Sequence, residues 1–501
     1  MTPYEDEHTP LFRAALQRLG VRRFALAIHD ASFPSSPEED IGRGSPYSRG
    51  GLEFLRFARS LGFNAVQLGP QGKTTRGDPS PYNSCIFSKS ILSLAALTLA
   101  DDGRLKGVVE AGDLDRLLSR QGYRRRAVGG DRIDHATAWE VSHALLEVAH
   151  SRFRGLRGKT SEVGAALNRF VAEQRSARVD WFQRDGVFEA LSASSGTDDW
   201  RLWGSQGGPL HAIDSRLYCP ESGEEEACRG RVSQVLREHE AVVERFALGQ
   251  FLLHVQHQRM REEARDLGLL VYGDMHIGCA HQDWWAWRSL FLPDYLLGAP
   301  PSRTNPEGQP WGYPLLDPRK LYSLGPRGEM VGGPALDFVR ARATKMLTEF
   351  DGMRIDHPQG LVCPWVYRAD DPDPLQAVRG GARLYSAPDF PDHPGLRQFS
   401  LVRPDQLNSD PACPRYADEQ VVDLQPEQIE RYAVALDAVI ESAKAAGRSP
   451  DDILCEVLST WPAPLKAVMK QRGMGRFCVT QKADPRNPND VYRPENTSAA
   501  P

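Results

Sequence analysis

The 501-residue chain contains no run of apolar residues long enough to cross a membrane as a helix, for which about 18 are needed. Its opening stretch, MTPYEDEHTPLFRAALQRLG, is acidic and has no apolar segment of the kind that a secretory signal requires. We therefore expect neither a transmembrane helix nor a secretory signal.

An excess of positive charge is also missing. The chain carries 61 Lys and Arg against 66 Asp and Glu, which gives a formal net charge of −5. Binding to nucleic acid or to an anionic membrane surface depends on clustered Lys and Arg. The composition, with 41% hydrophobic and 25% charged residues, instead resembles that of an ordinary globular protein, and we expect neither partner.

Paired cysteine motifs are absent as well. The eight cysteines are scattered and none forms a CxxC pair, so we expect reduced thiols in a cytoplasmic protein. The segment GDMHIGCAHQD gathers Asp274, His276, Cys279, His281 and Asp283, but it lacks the HxxxH spacing of a helical zinc motif. A metal site there is an alternative, while the main prediction is that the protein needs no metal and no cofactor.

The chain does contain a regular alternation of helical and strand patterns. Amphipathic stretches that end in glycine alternate six times with short apolar runs. The runs predicted as strands are Arg23–Asp30, Asn64–Pro70, Leu269–Asp274, the stretch ending at Asp356, the stretch ending at Glu456, and Arg476–Gln481. Such alternation indicates an α/β fold with a parallel sheet.

Acidic residues stand at or near the ends of four of these predicted strands: Asp30, Asp274, Asp356 and Glu456. In a (β/α)₈ barrel the working residues project from the carboxyl ends of the strands. Several carboxylates at one such edge suggest glycoside chemistry, with one as nucleophile and one as acid/base. The competing explanation for any single one is that it caps the helix that follows.

One tetrapeptide, Arg-Ile-Asp-His, occurs twice, at Arg132–His135 and at Arg354–His357. The first copy opens a helical pattern, so we expect Asp134 to cap that helix and Arg132 to lie at the surface. The second copy ends a predicted strand. Because residues two apart in a strand point the same way, we expect Arg354 and Asp356 to face the same side.

Five segments, in order along the chain, resemble those of amylomaltases, the 4-α-glucanotransferases of glycoside hydrolase family 77 in the α-amylase clan. The segments are QLGPQGKTTRGDPSPYNSCIF, LLVYGDMHIGCAHQDWWAW, GAPPSRTNPEGQPWGYPLLD, FDGMRIDHPQGL and DDILCEVLSTWPAPLKAVMKQRGMGRFCVTQ. The resemblance implies a (β/α)₈ TIM barrel as one catalytic domain over residues 1–501. Within it we expect a mainly helical insertion at about 95–250 and an irregular insertion at 368–425.

The resemblance also implies a reaction, the transfer of α-1,4-glucan segments between malto-oligosaccharides by a retaining double displacement. Asp356 matches the family's nucleophile, Arg354 its guanidinium partner and Glu456 its general acid/base. An arginine beside the nucleophile would keep that carboxylate ionised. An apolar setting would raise the pKa of the acid/base, and Cys455, Val457 and Leu458 flank Glu456 accordingly.

The remaining site residues are likewise implied by the matching motifs. Tyr82 would face the donor sugar, while Asp274 and His357 would bind its hydroxyls. Gln309 and Trp311 would contact the acceptor sugar, the latter by stacking. A supply of tryptophans, which core packing would explain equally well, could make the acceptor side apolar: Trp284, Trp285, Trp287 and Trp311.

The chain departs from the family pattern at several positions. The family's AEDLG reads CEVLS, and Ser302, Tyr313 and Gln359 replace an Asp, an Asn and an Arg. These changes lie on the acceptor side. The family's third catalytic carboxylate, the Asp of a THDN segment, finds no match before residue 501, so we expect a C-terminally truncated chain with about six barrel strands and weak or no activity.

Two further alternatives stay open at this stage. An α-1,4-glucan hydrolase would differ only in using water as the acceptor. A non-catalytic glucan-binding relative would fit the unmatched third carboxylate, although the presence of Arg354, Asp356 and Glu456 argues against it.

Overall fold

The computed structural model describes residues 9–120, 132–156, 161–203, 212–302, 305–327, 329–458, 460–476, 484–488 and 493. The chain divides into two compact units. Unit 1 comprises Met1–Asp274, Cys279–Ser289 and Glu349–Asp351, and unit 2 comprises Met275–Gly278, Leu290–Thr348 and Gly352–Pro501. We describe each unit by itself.

Unit 1 is built on three neighbouring parallel strands: β1 (Ala25–Ile28), β2 (Ala65–Leu68) and β3 (Leu270–Met275). Ala25 pairs with Ala65, and Ala65 pairs in turn with Leu270. All four residues of β2 are buried. A strand with both faces covered is typical of a parallel sheet between helices.

Ten helices belong to unit 1 within the described residues. They are α1 (Thr9–Arg18), α2 (Arg49–Ser60), α3 (Ala96–Ala100), α4 (Gly112–Ser119), α5 (His135–Leu156), α6 (Glu162–Arg175), α7 (Trp181–Ser195), α8 (Glu225–Glu238), α9 (Glu240–Asp266) and α10 (His281–Trp287). Helix α9 ends before Gly268, whose φ of +71° lies in the left-handed region that glycine adopts without strain. The chain then enters β3.

Helix α5 begins at the first Arg-Ile-Asp-His copy. The Asp134 carboxylate accepts a hydrogen bond from the backbone N–H of Thr137 at 3.0 Å, which makes it the N-cap of the helix. Arg132 is exposed. Both predictions for this copy are therefore confirmed.

Unit 2 contains two parallel strands, β8 (Gly352–Ile355) and β11 (Ile453–Cys455), with Ile355 paired to Cys455. Its main core packs buried side chains of these strands against three helices, α12 (Pro334–Glu349), α15 (Pro426–Ala445) and α16 (Ala463–Gln471). Arg476, at the start of the sixth predicted strand, forms a parallel bridge with Cys455. The rest of that predicted strand lies outside the described residues.

A second sheet in unit 2 is antiparallel, with strand order β10-β9-β4-β5. Its strands are β4 (Phe291–Ala299), β5 (Gln309–Leu316), β9 (Trp365–Arg368) and β10 (Ala382–Arg383). The unit also holds a hairpin of β6 (Tyr322–Leu324) and β7 (Met330–Gly332), and the short helices α11 (Pro318–Leu321), α13 (Gln359–Val362) and α14 (Pro374–Arg379). The sequence patterns did not predict this second sheet.

The predicted strands that fall within the described residues are confirmed, each to within a few residues at its ends. Among the described residues, we find no helix whose length and apolar character would let it span a membrane. The boundaries expected for the two insertions stay predictions.

Candidate active site

The side chains of Asp356 and Glu456 lie side by side because the strands before them are paired. Ile355 and Cys455 are register partners, and the backbone N–H of Glu456 donates to the Ile355 carbonyl at 3.0 Å. Each acidic residue thus follows the carboxyl end of a parallel strand at the same edge of the sheet. This is the edge where α/β proteins assemble their reactive groups.

Arg354 connects the two carboxylates. Its Nη2 atom lies 3.1 Å from Asp356 Oδ1 and 2.6 Å from Glu456 Oε2. The three side chains are only 7%, 7% and 10% exposed, for Arg354, Asp356 and Glu456 respectively. Little solvent screens these charges, so the interactions are stronger than those of a surface ion pair.

His357 completes the cluster. Its backbone φ of +47° lies in the left-handed region, which turns the chain sharply after β8. The Nδ1 atom then reaches Asp356 Oδ1 at 2.9 Å and lies 3.6 Å from Glu456 Oε2. Burial lowers the pKa of His357, but its hydrogen bond to Asp356 and the nearby carboxylates outweigh burial and raise it.

The pKa of Asp356 lies well below its usual range. Burial raises this pKa, because it penalises the charged form, but the hydrogen bond and charge of His357 and the charge of Arg354 lower it by more. The backbone N–H of Ile277 also faces Asp356 Oδ2, at 3.4 Å. Asp356 is therefore held as an ionised carboxylate.

The pKa of Glu456 moves the opposite way. Burial raises it, Arg354 lowers it, and the hydrogen bond and charge of Asp356 raise it again, so that the net shift is upward. When this pair holds a single proton, Glu456 rather than Asp356 therefore carries it. Two carboxyl groups whose surroundings separate their pKa values in this way suit acid/base chemistry at one and nucleophilic chemistry at the other.

Oxygen and nitrogen atoms of Asp356, His357 and Glu456 lie within 4.8 Å of one another and could also hold a metal ion. The guanidinium of Arg354 already contacts both carboxylates, so a fixed cation balances them. In the segment considered as a metal site, Asp283 accepts hydrogen bonds from the backbone N–H groups of Ile86 and Ala280. Those contacts give Asp283 a structural role.

A cavity of about 250 Å³ in unit 2 adjoins His357 and is also lined by Gln309 and Trp311. The Trp311 ring meets the His357 ring edge to face, with 5.2 Å between centroids. Trp311 Nε1 donates to Gln309 Oε1 at 3.1 Å. The structure thus brings three of the substrate-binding residues predicted from the sequence to one cavity.

The other two predicted substrate-binding residues belong to unit 1. Asp274 is buried on β3, and its Oδ2 accepts a hydrogen bond from Gln67 Nε2 at 3.2 Å. Tyr82 is half-buried in a single turn, Pro81–Asn83, and its ring packs edge to face against His29 with 5.7 Å between centroids.

Three residues that the sequence suggested for the reactive edge or for the acceptor side are buried within unit 1. Asp30 is buried and accepts hydrogen bonds from Gln71 and Ser93. Trp285 and Trp287 are 1% and 3% exposed, and Trp285 packs on the rings of unit 1. Side chains buried in this way are unavailable to a sugar, so core packing is the correct explanation for both tryptophans.

The sequence reasoning missed Arg383. This residue lines the same cavity from β10, within a stretch expected to be irregular. The only local indication of strands in this stretch is the alternation of apolar and polar residues in WVYR and ARLY. Two runs as short as these do not predict which residues will lie next to each other in the folded chain.

A family model described as 4-alpha-glucanotransferase matches residues 29–500. The chain is 25% identical over 359 residues to the chloroplastic/amyloplastic 4-alpha-glucanotransferase of Solanum tuberosum, covering 70% of this chain and 54% of that protein. It is 27% identical over 372 residues to the 4-alpha-glucanotransferase of Thermus thermophilus, covering 71% of this chain and 62% of that protein. The matched parts thus amount to less than two thirds of either relative.

Among solved structures, the chain is similar to the amylomaltase from Streptococcus agalactiae in complex with acarbose. The TM-score is 0.64 at 19% identity, covering 96% of this chain and 78% of that one. The amylomaltase from Corynebacterium glutamicum gives a TM-score of 0.58 at 16% identity, covering 95% of this chain and 53% of that one. This likeness confirms the predicted α/β fold of the amylomaltase type.

Proposed function

We propose that this chain, which belongs to the 4-alpha-glucanotransferase family, transfers α-1,4-glucan segments between malto-oligosaccharides with retention of configuration. The observation that carries the proposal is the pair Asp356 and Glu456. Oxygen atoms of the two carboxyl groups lie within 4.8 Å of each other, and their pKa values shift in opposite directions. Carboxyl groups about 5 Å apart are typical of retaining enzymes, whereas inverting enzymes keep them about 6.5–9.5 Å apart.

In the first step, the Glu456 carboxyl donates its proton to the glycosidic oxygen while a carboxylate oxygen of Asp356 attacks the anomeric carbon. The bond from that carbon to the glycosidic oxygen breaks, and the donor's reducing-end fragment leaves as a neutral sugar. The product is a glycosyl ester of Asp356. Arg354 and His357 contact Asp356 Oδ1 and favour its ionised form before the attack.

In the second step, Glu456 is a carboxylate and takes the proton from a hydroxyl of the acceptor glucan. The acceptor oxygen attacks the anomeric carbon, and the ester bond to Asp356 breaks. Two displacements at one carbon restore the original configuration. The enzyme ends with Glu456 protonated and Asp356 ionised, as it began.

The cavity next to His357 supports an acceptor other than water. Gln309 and Trp311 line it, and an indole ring beside amide groups offers one apolar and one hydrogen-bonding face to a sugar. We propose that these two residues bind the acceptor. From the family motifs we also propose that Tyr82, Asp274 and His357 bind the donor sugar.

Incubation of the protein with pure maltotriose tests this function. A transferase releases glucose and also produces maltopentaose and longer oligomers, which chromatography of the products detects. Glucose and maltose without any oligomer longer than maltotriose would instead indicate a hydrolase. Binding of maltotriose without any product would indicate a non-catalytic glucan-binding protein.

We further propose that the protein acts in the cytoplasm, on malto-oligosaccharides or on glucans of the glycogen or starch type. The seven cysteines among the described residues are all free thiols, which suits a reducing compartment. Fractionation of cells that produce the tagged protein tests this proposal, and recovery of the protein outside the cytoplasmic fraction would contradict it.

A further inference from the structure

The cavity beside His357 has two walls of different kinds. One wall is the antiparallel sheet, and each of its four strands contributes a residue: Leu297, Gln309, Trp365 and Arg383. The other wall consists of segments that follow parallel strands, including His357 and Gln359 after β8. The cavity thus lies between the antiparallel sheet and the segment that carries His357, whose side chain contacts Asp356.

Arg383 is an unusual component of this wall. Its side chain belongs to a residue only 2% exposed, and its register partner across the sheet is Trp365. The guanidinium lies 5.9 Å from the centroid of the Trp365 ring, and Nη2 donates to the Tyr416 carbonyl at 3.1 Å. Within the described part of the chain, Arg383 Nε has no hydrogen-bond partner, while the positive charge of the guanidinium acts on the Asp418 carboxyl, whose pKa burial raises and this charge lowers.

Gln359 presents the complementary group. Its Oε1 atom is buried and finds no hydrogen-bond partner among the residues that the structure describes. A buried donor or acceptor left unsatisfied costs about 1–3 kcal/mol, so each such group calls for an explanation, such as a functional role, an ion or a bound water. One unsatisfied donor and one unsatisfied acceptor therefore belong to residues that line the same cavity.

The other groups of the cavity indicate which ligand they would satisfy. Trp311 and Leu297 offer apolar surface, and Gln309 and Asn305 offer amides, while no Asp or Glu lines the cavity among the described residues. A neutral pyranose has apolar CH faces and hydroxyls that both donate and accept. It fits this mixture, since Arg383 can donate to a hydroxyl and Gln359 can accept from one.

We propose that Arg383 and Gln359 determine acceptor specificity by hydrogen-bonding the hydroxyls of the acceptor sugar. This assignment rests on the proposed function and goes beyond it, because the family motifs place Gln359 on the acceptor side without a role and do not include Arg383. Gln359 replaces the arginine that the family motif carries there.

The test separates the donor from the acceptor half-reaction. With α-maltosyl fluoride as donor, fluoride release reports formation of the glycosyl-enzyme, and glucose at varied concentration serves as acceptor. For Gln359→Leu we expect a roughly three- to tenfold rise in the KM for glucose, and for Arg383→Met a rise of about tenfold or more. In both variants, the KM for glucose should change far more than the rate of fluoride release that is measured in the absence of glucose.

Gln359→Leu keeps the test valid if the buried Arg383→Met variant fails to fold, because Gln359 is only partly buried. Matched controls are Gln398→Leu and Arg403→Met, which alter exposed side chains of the same unit. An unchanged KM for glucose in folded Gln359→Leu and Arg383→Met would overturn the proposal. So would a wild-type protein that uses glucose 6-phosphate at lower KM than glucose, since the cavity would then serve an anion.

Failure of the proposed function gives a different result. A wild-type protein that releases no fluoride contradicts the transfer reaction itself. Calorimetry of maltose binding to the wild-type protein and to Gln359→Leu then still decides the assignment. Weaker binding to the variant supports it, and equal binding overturns it.

Discussion

The Arg-Ile-Asp-His tetrapeptide occurs once in each unit, and its two copies have different structures. In unit 1, Asp134 caps helix α5 through the backbone of Thr137, and Ile133 is 53% exposed. In unit 2, Asp356 is buried and contacts Arg354 and His357 of its own copy. The same four residues therefore have different roles, because the first copy begins a helix and the second copy ends a strand.

The difference arises from the backbone before each aspartate. An extended strand places Arg354 and Asp356 on one side, two residues apart, and a paired strand supplies Glu456 opposite them. At the start of a helix the same aspartate instead folds back onto the free N–H groups of the first turn. Four experiments compare the two copies, from the largest expected effect to the smallest.

Replacement of the two aspartates should give the largest contrast. We expect Asp356→Asn to lower the rate of glucose release from maltotriose by at least about 10⁴-fold, as loss of a nucleophile does in other enzymes. Asp134→Asn should leave that rate unchanged, because asparagine caps a helix as well as aspartate does. Comparable losses in both variants would contradict the distinction between the copies.

Removal of the acid/base group should give the second-largest loss of activity. We expect Glu456→Gln to slow transfer from maltotriose by about 10²–10⁴-fold. With α-maltosyl fluoride the loss in the first step should be much smaller, since fluoride leaves without protonation. Glu140→Gln, near the first copy, is the control, and an equal loss with both donors would exclude Glu456 as the acid.

The arginines of the two copies should differ in the pH profile of kcat/KM. Arg354 lowers the pKa of both Asp356 and Glu456, so Arg354→Gln should raise both. Activity requires ionised Asp356 and protonated Glu456, so it falls below the first pKa and above the second. Both limbs should therefore move to higher pH, by about 1–3 units for Asp356.

The matched variant for this profile is Arg132→Gln, which alters an exposed arginine and should leave both limbs in place. A profile of Arg354→Gln that only loses height, with both limbs at the wild-type pH, would show that Arg354 does not control these ionisations.

The smallest effect should come from the helix cap. Asp134→Ala removes the acceptor for the Thr137 N–H and should lower the free energy of unfolding by about 1 kcal/mol. Urea denaturation measures this change, with Asp134→Asn as the matched control. A variant as stable as the wild type would mean that the cap contributes nothing to folding.

Much of the fold could be predicted because its elements are local. The strands before Asp356 and Glu456 are short apolar runs, and the helices between them have apolar residues at helical spacing. The antiparallel sheet escaped prediction because its two long strands, β4 and β5, contain Pro and Gly, which are typical of turns rather than of strand interiors. The other two strands, β9 and β10, are only four and two residues long and have no long helical pattern beside them in the sequence.

The candidate site divides in the same way. Asp356, Arg354 and Glu456 were predicted from family motifs, and the structure brings their side chains together through the register of β8 and β11. Trp285 and Trp287 were equally conspicuous in the sequence but are buried. A residue type alone does not say which way its side chain points once the chain has packed.

By itself, the sequence determined the α/β class, the family, and the carboxylate pair with its arginine, because strand periodicity and motif order are properties of neighbouring residues. Only the tertiary structure decided that Arg354 contacts both carboxylates and that Arg383 and Gln359 line one cavity. Those outcomes depend on register between strands far apart in the chain. Burial then decides which pKa values shift, since desolvation and fixed charges act through space rather than along the sequence.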